Sequence, residues 1–157
     1  MAKLKDLLSE LSQENLTTSL AEEGAVFRMH LTDEEGVIGK NPGDDGRNKY
    51  FVVLGHDLQG NAIGFVLIDT TINPNLPQCR KDAHYKIDSA TYSFLEGEDR
   101  YVDCSDFKII SKERFSILFD KHTAKGKIIC EDLENIKKLT VGYVNASPKT
   151  MKRFGLM

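Results

Sequence analysis

The sequence predicts a mainly β domain, a small and strongly bent antiparallel barrel with a helix at its N-terminal and at its C-terminal side. Three observations carry this. Six or seven short apolar or alternating stretches, rich in β-branched and aromatic residues, are separated by turns bearing Gly, Pro, Asn and Asp. A long polar segment, 32–48, holds four glycines and one proline, and loops of that length in a compact domain usually carry function. Near the C-terminus Leu133, Ile136, Leu139, Thr140, Tyr143 and Val144 recur at helical spacing. Strands do not alternate with helices of ten or more residues, so a wound α/β sheet is a poor fit.

The bulk properties narrow the classes further. At 157 residues the chain is one domain by length, large enough to bury a core. A net charge of −3 argues against a whole-surface electrostatic grip on nucleic acid but leaves room for a local basic patch. The longest apolar cluster, 51–54, is far too short to span a bilayer, so no membrane association is expected. The N-terminus, MAKLKDLLSELSQE, alternates charges with leucines and has no signal-peptide core. Cys79, Cys104 and Cys130 form no CxxC pair and read as reduced thiols, which points to the cytoplasm.

In chain order, Leu4, Leu7, Leu8 and Leu11 give the stripe of a short amphipathic helix over 3–13, too short to stand alone and therefore docked on the body. Residues 15–23 connect it to a first strand over 25–31, with Val26, Arg28 and His30 on one face and Phe27, Met29 and Leu31 on the other. After the long loop, 50–54 and 62–68 form a hairpin across the turn GHDLQGN. Pro74 and Pro77 end any ladder in the next segment, and 85–88 is a short strand. The stretch 101–110 is broken by Ser105 and Asp106 and reads as two strands around a bend. Ser111 caps a helix over 111–119, 125–129 is a small strand, and the closing helix has Glu131 and Asp132 in its first turn, where the macrodipole favours them. Gly142 lowers that helix's propensity without interrupting it, and Ser147-Pro148 begins a last helical turn through Arg153.

The residues that carry chemistry are few. His30, His56, His84 and His122 are isolated in sequence and none stands at ligand spacing with a cysteine, so neither a metal nor a cofactor is expected. No GxSxG, GxxxxGK[ST] or GxGxxG is present, which leaves serine hydrolases, P-loop NTPases and dinucleotide enzymes without support. Asp44-Asp45-Gly46 reads as turn chemistry. What remains is Arg47, in the loop before the second strand, and Thr70 and Thr71 after the third. A hairpin brings the start of its first strand near the end of its second, and so sets Arg47 beside Thr70 and Thr71 at one rim. A guanidinium beside a hydroxyl is a cradle for a phosphodiester, although a loop arginine standing alone is more often simply solvated.

The order of these pieces resembles the MazF/PemK-like toxins of bacterial toxin–antitoxin systems. GKNPGDDGRNKYFVVLG is similar to the family's acid-bearing loop, arginine and second strand, and GFVLIDTTINPNL to its third strand with a Thr/Ser-bearing turn. YVDCSDFKIISKERF and GKIICEDLENIKKLTVGYV resemble the later strand, short helix, closing strand and C-terminal helix, so the likeness covers about 24–146. It implies an SH3-like barrel, usually a homodimer, that cleaves single-stranded RNA without metal through attack by the ribose 2′-hydroxyl. Catalysis then falls to Arg47 and Thr71, with Thr70 one position away. Lys49 and Asn73 are further candidates for substrate binding, and the segment 77–84, longer than the family's, adds Arg80, Lys81 and His84 near the rim to track an RNA backbone. The implied partners are single-stranded RNA and a cognate antitoxin. The implied layout is an N-terminal helix and connector (1–23), the barrel with its closing helix (24–146) and a C-terminal tail (147–157). The alternative is a catalytically inactive barrel that binds protein or nucleic acid.

Overall fold

The hairpin of residues 46–69 is the centre of a seven-stranded antiparallel sheet. It joins β2 (Gly46–His56) to β3 (Ala62–Asp69), with Phe51 opposite Leu67 and Tyr50 opposite Ile68. The computed structural model describes residues 20–157, so the helix expected over 3–13 lies outside the described residues. β1 (Ala25–Thr32) pairs with β2 from Val26↔Val52 to Thr32↔Gly46, and β7 (Ala124–Lys127) closes on the far side of β1 across a bulge at Val26/Phe27. β5 (Arg100–Asp103) and β6 (Lys108–Ser111) both pair with β3, β5 at its Asp69 end and β6 at its Ala62 end. The break at Ser105 and Asp106 therefore lets one stretch of chain serve both ends of one strand. β4 (His84–Ile87) adds to β5, and the order β4-β5-β3-β2-β1-β7 curls into a half-barrel.

The apolar run at 51–54 is buried on both sides of the sheet, which is why it lacks the alternation of a half-exposed strand. Val26, Val52, Leu54, Val66 and Ile68 face one core together with Ile87, Leu95, Val102 and Ile136. Phe27, Met29, Leu31, Phe51, Val53 and Phe65 face the other, where Phe115 packs edge-on against Phe27 at 5.2 Å between centroids. Each buried phenylalanine contributes about 1.5–3 kcal/mol of transfer free energy.

Four helices complete the described chain: α1 (Gln78–Asp82), α2 (Lys112–Leu118), α3 (Cys130–Gly142) and α4 (Pro148–Arg153). Ser111 and Ser147 cap α2 and α4, accepting from the amides of Arg114 and Thr150. α3 is pinned to the sheet by Asp132, whose carboxylate accepts from the hydroxyls of Tyr85 and Tyr92. Burial and that carboxylate push the Tyr92 phenol far above its ordinary value. A second tie joins the 3-10 turn after β1 to α2. Arg114 forks onto the buried Glu35 carboxylate at 3.1 and 3.2 Å, and Glu35 in turn accepts from the amide of Thr32. Among the described residues no helix is long and apolar enough to cross a membrane.

Three local expectations are corrected. β2 begins at Gly46, so Arg47 stands inside a strand opposite Leu31 and not in a loop; β1 extends to Thr32 and supplies the ladder. The segment 77–84 contains α1, which has no buried residue and thus no apolar stripe to announce it. α3 ends at Gly142, and Val144, 77% exposed, takes no part in its packing stripe.

Candidate functional site

Where β2 begins and β3 ends, the curled sheet opens into a cleft of about 770 Å³. Its first wall comes from the β1–β2 ladder, which sets Arg28 opposite Tyr50 and Leu31 opposite Arg47. The ladder closes there only because residue 46 is glycine: a Cβ at that position would stand 2.0 Å from the Leu31 carbonyl oxygen. Gly46 thereby lets β2 approach β1 immediately before Arg47. The second wall is the end of β3, where Asp69 runs into Thr70, Thr71 and Asn73. α1 and β4 supply Arg80 and His84, and β5 supplies Arg100 and Asp103.

Six cations, Arg28, Arg47, Lys49, Arg80, Arg100 and Lys125, meet three carboxylates, Asp69, Glu96 and Asp103, in this cleft. With six against three, and the imidazole counted neutral, the cleft carries +3, although the whole chain carries −3. The low-dielectric walls of a cleft concentrate that potential toward an anionic ligand. Two of the cations are already engaged: Lys49 Nζ donates to Asp69 Oδ1, and Arg80 Nη2 lies 3.4 Å from Asp103 Oδ2. Arg28, Arg47, Arg100 and Lys125 have no carboxylate partner among the described residues. Arg100 stacks on the Tyr50 ring with its guanidinium carbon 4.9 Å from the centroid, and Arg28 approaches the same ring at 5.7 Å. The Arg100 Nε is buried without a hydrogen-bond partner among the described residues, so stacking on Tyr50 is what orients that edge of the guanidinium.

The floor is a hydrogen-bonded group around Asp103. Its Oδ1 accepts from the backbone amide of Ser105 at 3.0 Å and from the Ser105 hydroxyl, which itself accepts from Arg80 Nε at 2.9 Å. His84, with a side chain only 2% exposed, bonds the Arg80 carbonyl oxygen through Nδ1 at 2.7 Å and turns Nε2 toward Asp103 at 3.7 Å. Asp69, His84 and Asp103 each offer one ligand atom, and the three lie within 4.8 Å of one another. Spacing along the chain is blind to this grouping, because its members come from β3, β4 and β5.

At the outer edge, His30 bridges the strand to the preceding loop, with Nε2 2.9 Å from Asp45 Oδ1 and Nδ1 3.2 Å from Asn48 Oδ1. The hydrogen bond to Asp45 raises the His30 imidazolium above its ordinary value and, reciprocally, lowers the Asp45 carboxyl below its own.

Of the residues singled out from sequence, Arg47, Thr70, Thr71, Lys49, Asn73, Arg80 and His84 line this one cleft, whereas Lys81 is not among its lining residues. Sequence reading missed Arg28, Arg100, Lys125, Asp69 and Asp103. Arg28 did carry a signal, since its alternation set a cation on the same face as core Val26. The others become neighbours only when β3, β5 and β7 assemble. No protein-family model matches the chain, and no curated protein matches it significantly.

Proposed function

We propose that the protein is an SH3-like barrel endoribonuclease that binds single-stranded RNA in the basic cleft and cleaves it without metal. The observation that carries this reading is the convergence of six cations on one cleft of an otherwise acidic chain, with Arg47, Thr70 and Thr71 on its lining. A ribose 2′-oxygen attacks the adjacent phosphorus, the bond to the 5′-oxygen breaks, and the proton lost by the nucleophile is balanced by one gained by the leaving oxygen. The products are a 2′,3′-cyclic phosphate and a 5′-hydroxyl end. Arg47 supplies fixed positive charge to the non-bridging oxygens as the phosphorane forms, and the Thr71 or Thr70 hydroxyl donates a hydrogen bond to the same centre. An arginine with its pKa above about 12 serves poorly as the proton carrier, so electrostatic stabilisation is its role. Dependence on the 2′-hydroxyl makes RNA and not DNA the substrate. On this reading the chain is the toxin of a toxin–antitoxin pair, with a cognate antitoxin as its partner and a homodimer as its working form.

The test is incubation of the purified protein with a long mixed-sequence RNA in EDTA, with the new ends mapped by primer extension. Cleavage that leaves 5′-hydroxyl ends, is absent with the matching DNA and falls at least about 100-fold in Arg47→Ala is the expected result. Tight RNA binding with no cleavage sinks the enzyme reading and leaves an inactive binding barrel.

A further inference from the structure

We propose that Asp69, His84 and Asp103 form a divalent-cation site at the floor of the cleft. The three donor atoms lie within 4.8 Å of one another on three adjacent strands, and the His84 and Asp103 side chains are 2% and 10% exposed. The separation of His84 Nε2 from Asp103 Oδ1, 3.7 Å, is too long for a hydrogen bond. It is close to the spacing of two ligands on one ion: bonds of about 2.1 Å at tetrahedral to trigonal angles set their donors about 3.4–3.6 Å apart.

The surroundings orient both ligands. His84 Nδ1 bonds the Arg80 carbonyl oxygen at 2.7 Å, which places the proton on Nδ1 and the lone pair on Nε2, as the outer partner of a metal-binding histidine does. The Ser105 amide and hydroxyl both donate to Asp103 Oδ1, fixing that carboxylate's rotamer. One imidazole with two carboxylates suits a first-row ion such as Mn²⁺ or Zn²⁺ better than Ca²⁺, which prefers six to eight oxygens.

The charge balance explains what the ion would do. Lys49 and Arg80 now neutralise Asp69 and Asp103. A dication on those carboxylates takes over that duty and frees both side chains toward the cleft. Lys49 and the ion compete for Asp69, so Lys49 sets the affinity. The ion takes no part in the bond-breaking step proposed above, and the site stands whether or not the cleft binds RNA.

The full-length protein, stripped with EDTA and dialysed, is titrated with MnCl2 in the absence of RNA, with free Mn²⁺ read by electron paramagnetic resonance. One ion per chain is expected. Affinity falls at least about tenfold in His84→Gln and in Asp103→Asn, the scale of losing even an outer-shell partner of a metal ligand, and rises severalfold in Lys49→Met. No binding at millimolar Mn²⁺ overturns the proposal, as does binding that neither His84→Gln nor Asp103→Asn weakens. Lys49→Met leaves every ligand in place, so it decides the matter should a ligand variant fail to fold; affinity no higher than wild type refutes the site. Cleavage in EDTA tests the ribonuclease reading separately, because Mn²⁺ binding without RNA is a different readout.

Discussion

Salt dependence gives the sharpest check on the cleft, because its slope counts the cations that meet phosphate. Lys49 and Arg80 are held by Asp69 and Asp103, which leaves Arg28, Arg47, Arg100 and Lys125 as the four cleft cations without a carboxylate partner among the described residues. Each phosphate neutralised on a single strand contributes about −0.7 to the slope of log K against log[salt], so four give about −2.8. Raising KCl from 50 to 200 mM should then weaken binding about 50-fold. Arg47→Ala removes one phosphate contact, lowers the slope to about −2.1 and reduces the same salt effect to about 18-fold. The assay is fluorescence anisotropy with a labelled 2′-O-methyl oligoribonucleotide, which binds but has no nucleophile to cleave itself. A slope near zero, or an Arg47→Ala slope equal to wild type, would show that the cleft does not hold the phosphate backbone through these side chains.

Four further outcomes follow from the geometry. Arg114→Ala strands the Glu35 carboxylate, whose side chain is 3% exposed, and should cost about 3 kcal/mol, lowering the melting temperature by about 6–12 °C; a loss under about 1 kcal/mol would contradict the buried pair. The His30–Asp45 clip should be strongest between the ordinary Asp and His values, about pH 4 to 6.5. Its contribution through His30 is complete below the ordinary histidine value and is lost as pH rises through the raised one; its contribution through Asp45 is lost as pH falls through the lowered carboxyl value. An NMR titration of the His30 ring should show a raised midpoint that returns to normal in Asp45→Asn. Tyr92→Phe deletes a hydroxyl that donates to Asp132 and accepts from the Ile129 amide at 3.2 Å, so the urea midpoint should fall by the equivalent of about 1–3 kcal/mol without loss of the fold. Burial pushes the Cys104 thiol up to about 12, so native protein should expose only Cys79 and Cys130 to a thiol reagent, and a third reactive thiol before unfolding would contradict the core.

How far the sequence could be read depended on the range of the interaction involved. The turn between β2 and β3, the span of β3, the Ser111 cap and the two strands around Ser105 and Asp106 rest on contacts within a few residues, and each appears within one or two residues of its expected place. α1 was hidden because a five-residue exposed helix has neither stripe nor side-chain cap. The start of β2 was misplaced because a polar segment such as Gly46 to Lys49 becomes strand only when a neighbour offers its ladder. At the site, hairpin geometry alone set Arg47 near the Thr70–Thr71 pair, and all three line the cleft, but that geometry by itself did not separate Arg47 from a solvated arginine. Arg100 and Asp103 were not, since nothing local distinguishes them from any other polar residues on a short strand.

What the sequence determined by itself was the mainly β class, the turn chemistry and the pairing of β2 with β3, all consequences of side-chain period and of glycine and proline stereochemistry. The tertiary structure alone decided which charges share a space. Curling the sheet brought Arg28, Arg100 and Lys125 to the cleft that Arg47 lines, and registered β3, β4 and β5 so that Asp69, His84 and Asp103 meet. Backbone hydrogen bonds between strands set that register, and they join residues as far apart as Asp69 and Tyr101, beyond the reach of any local pattern.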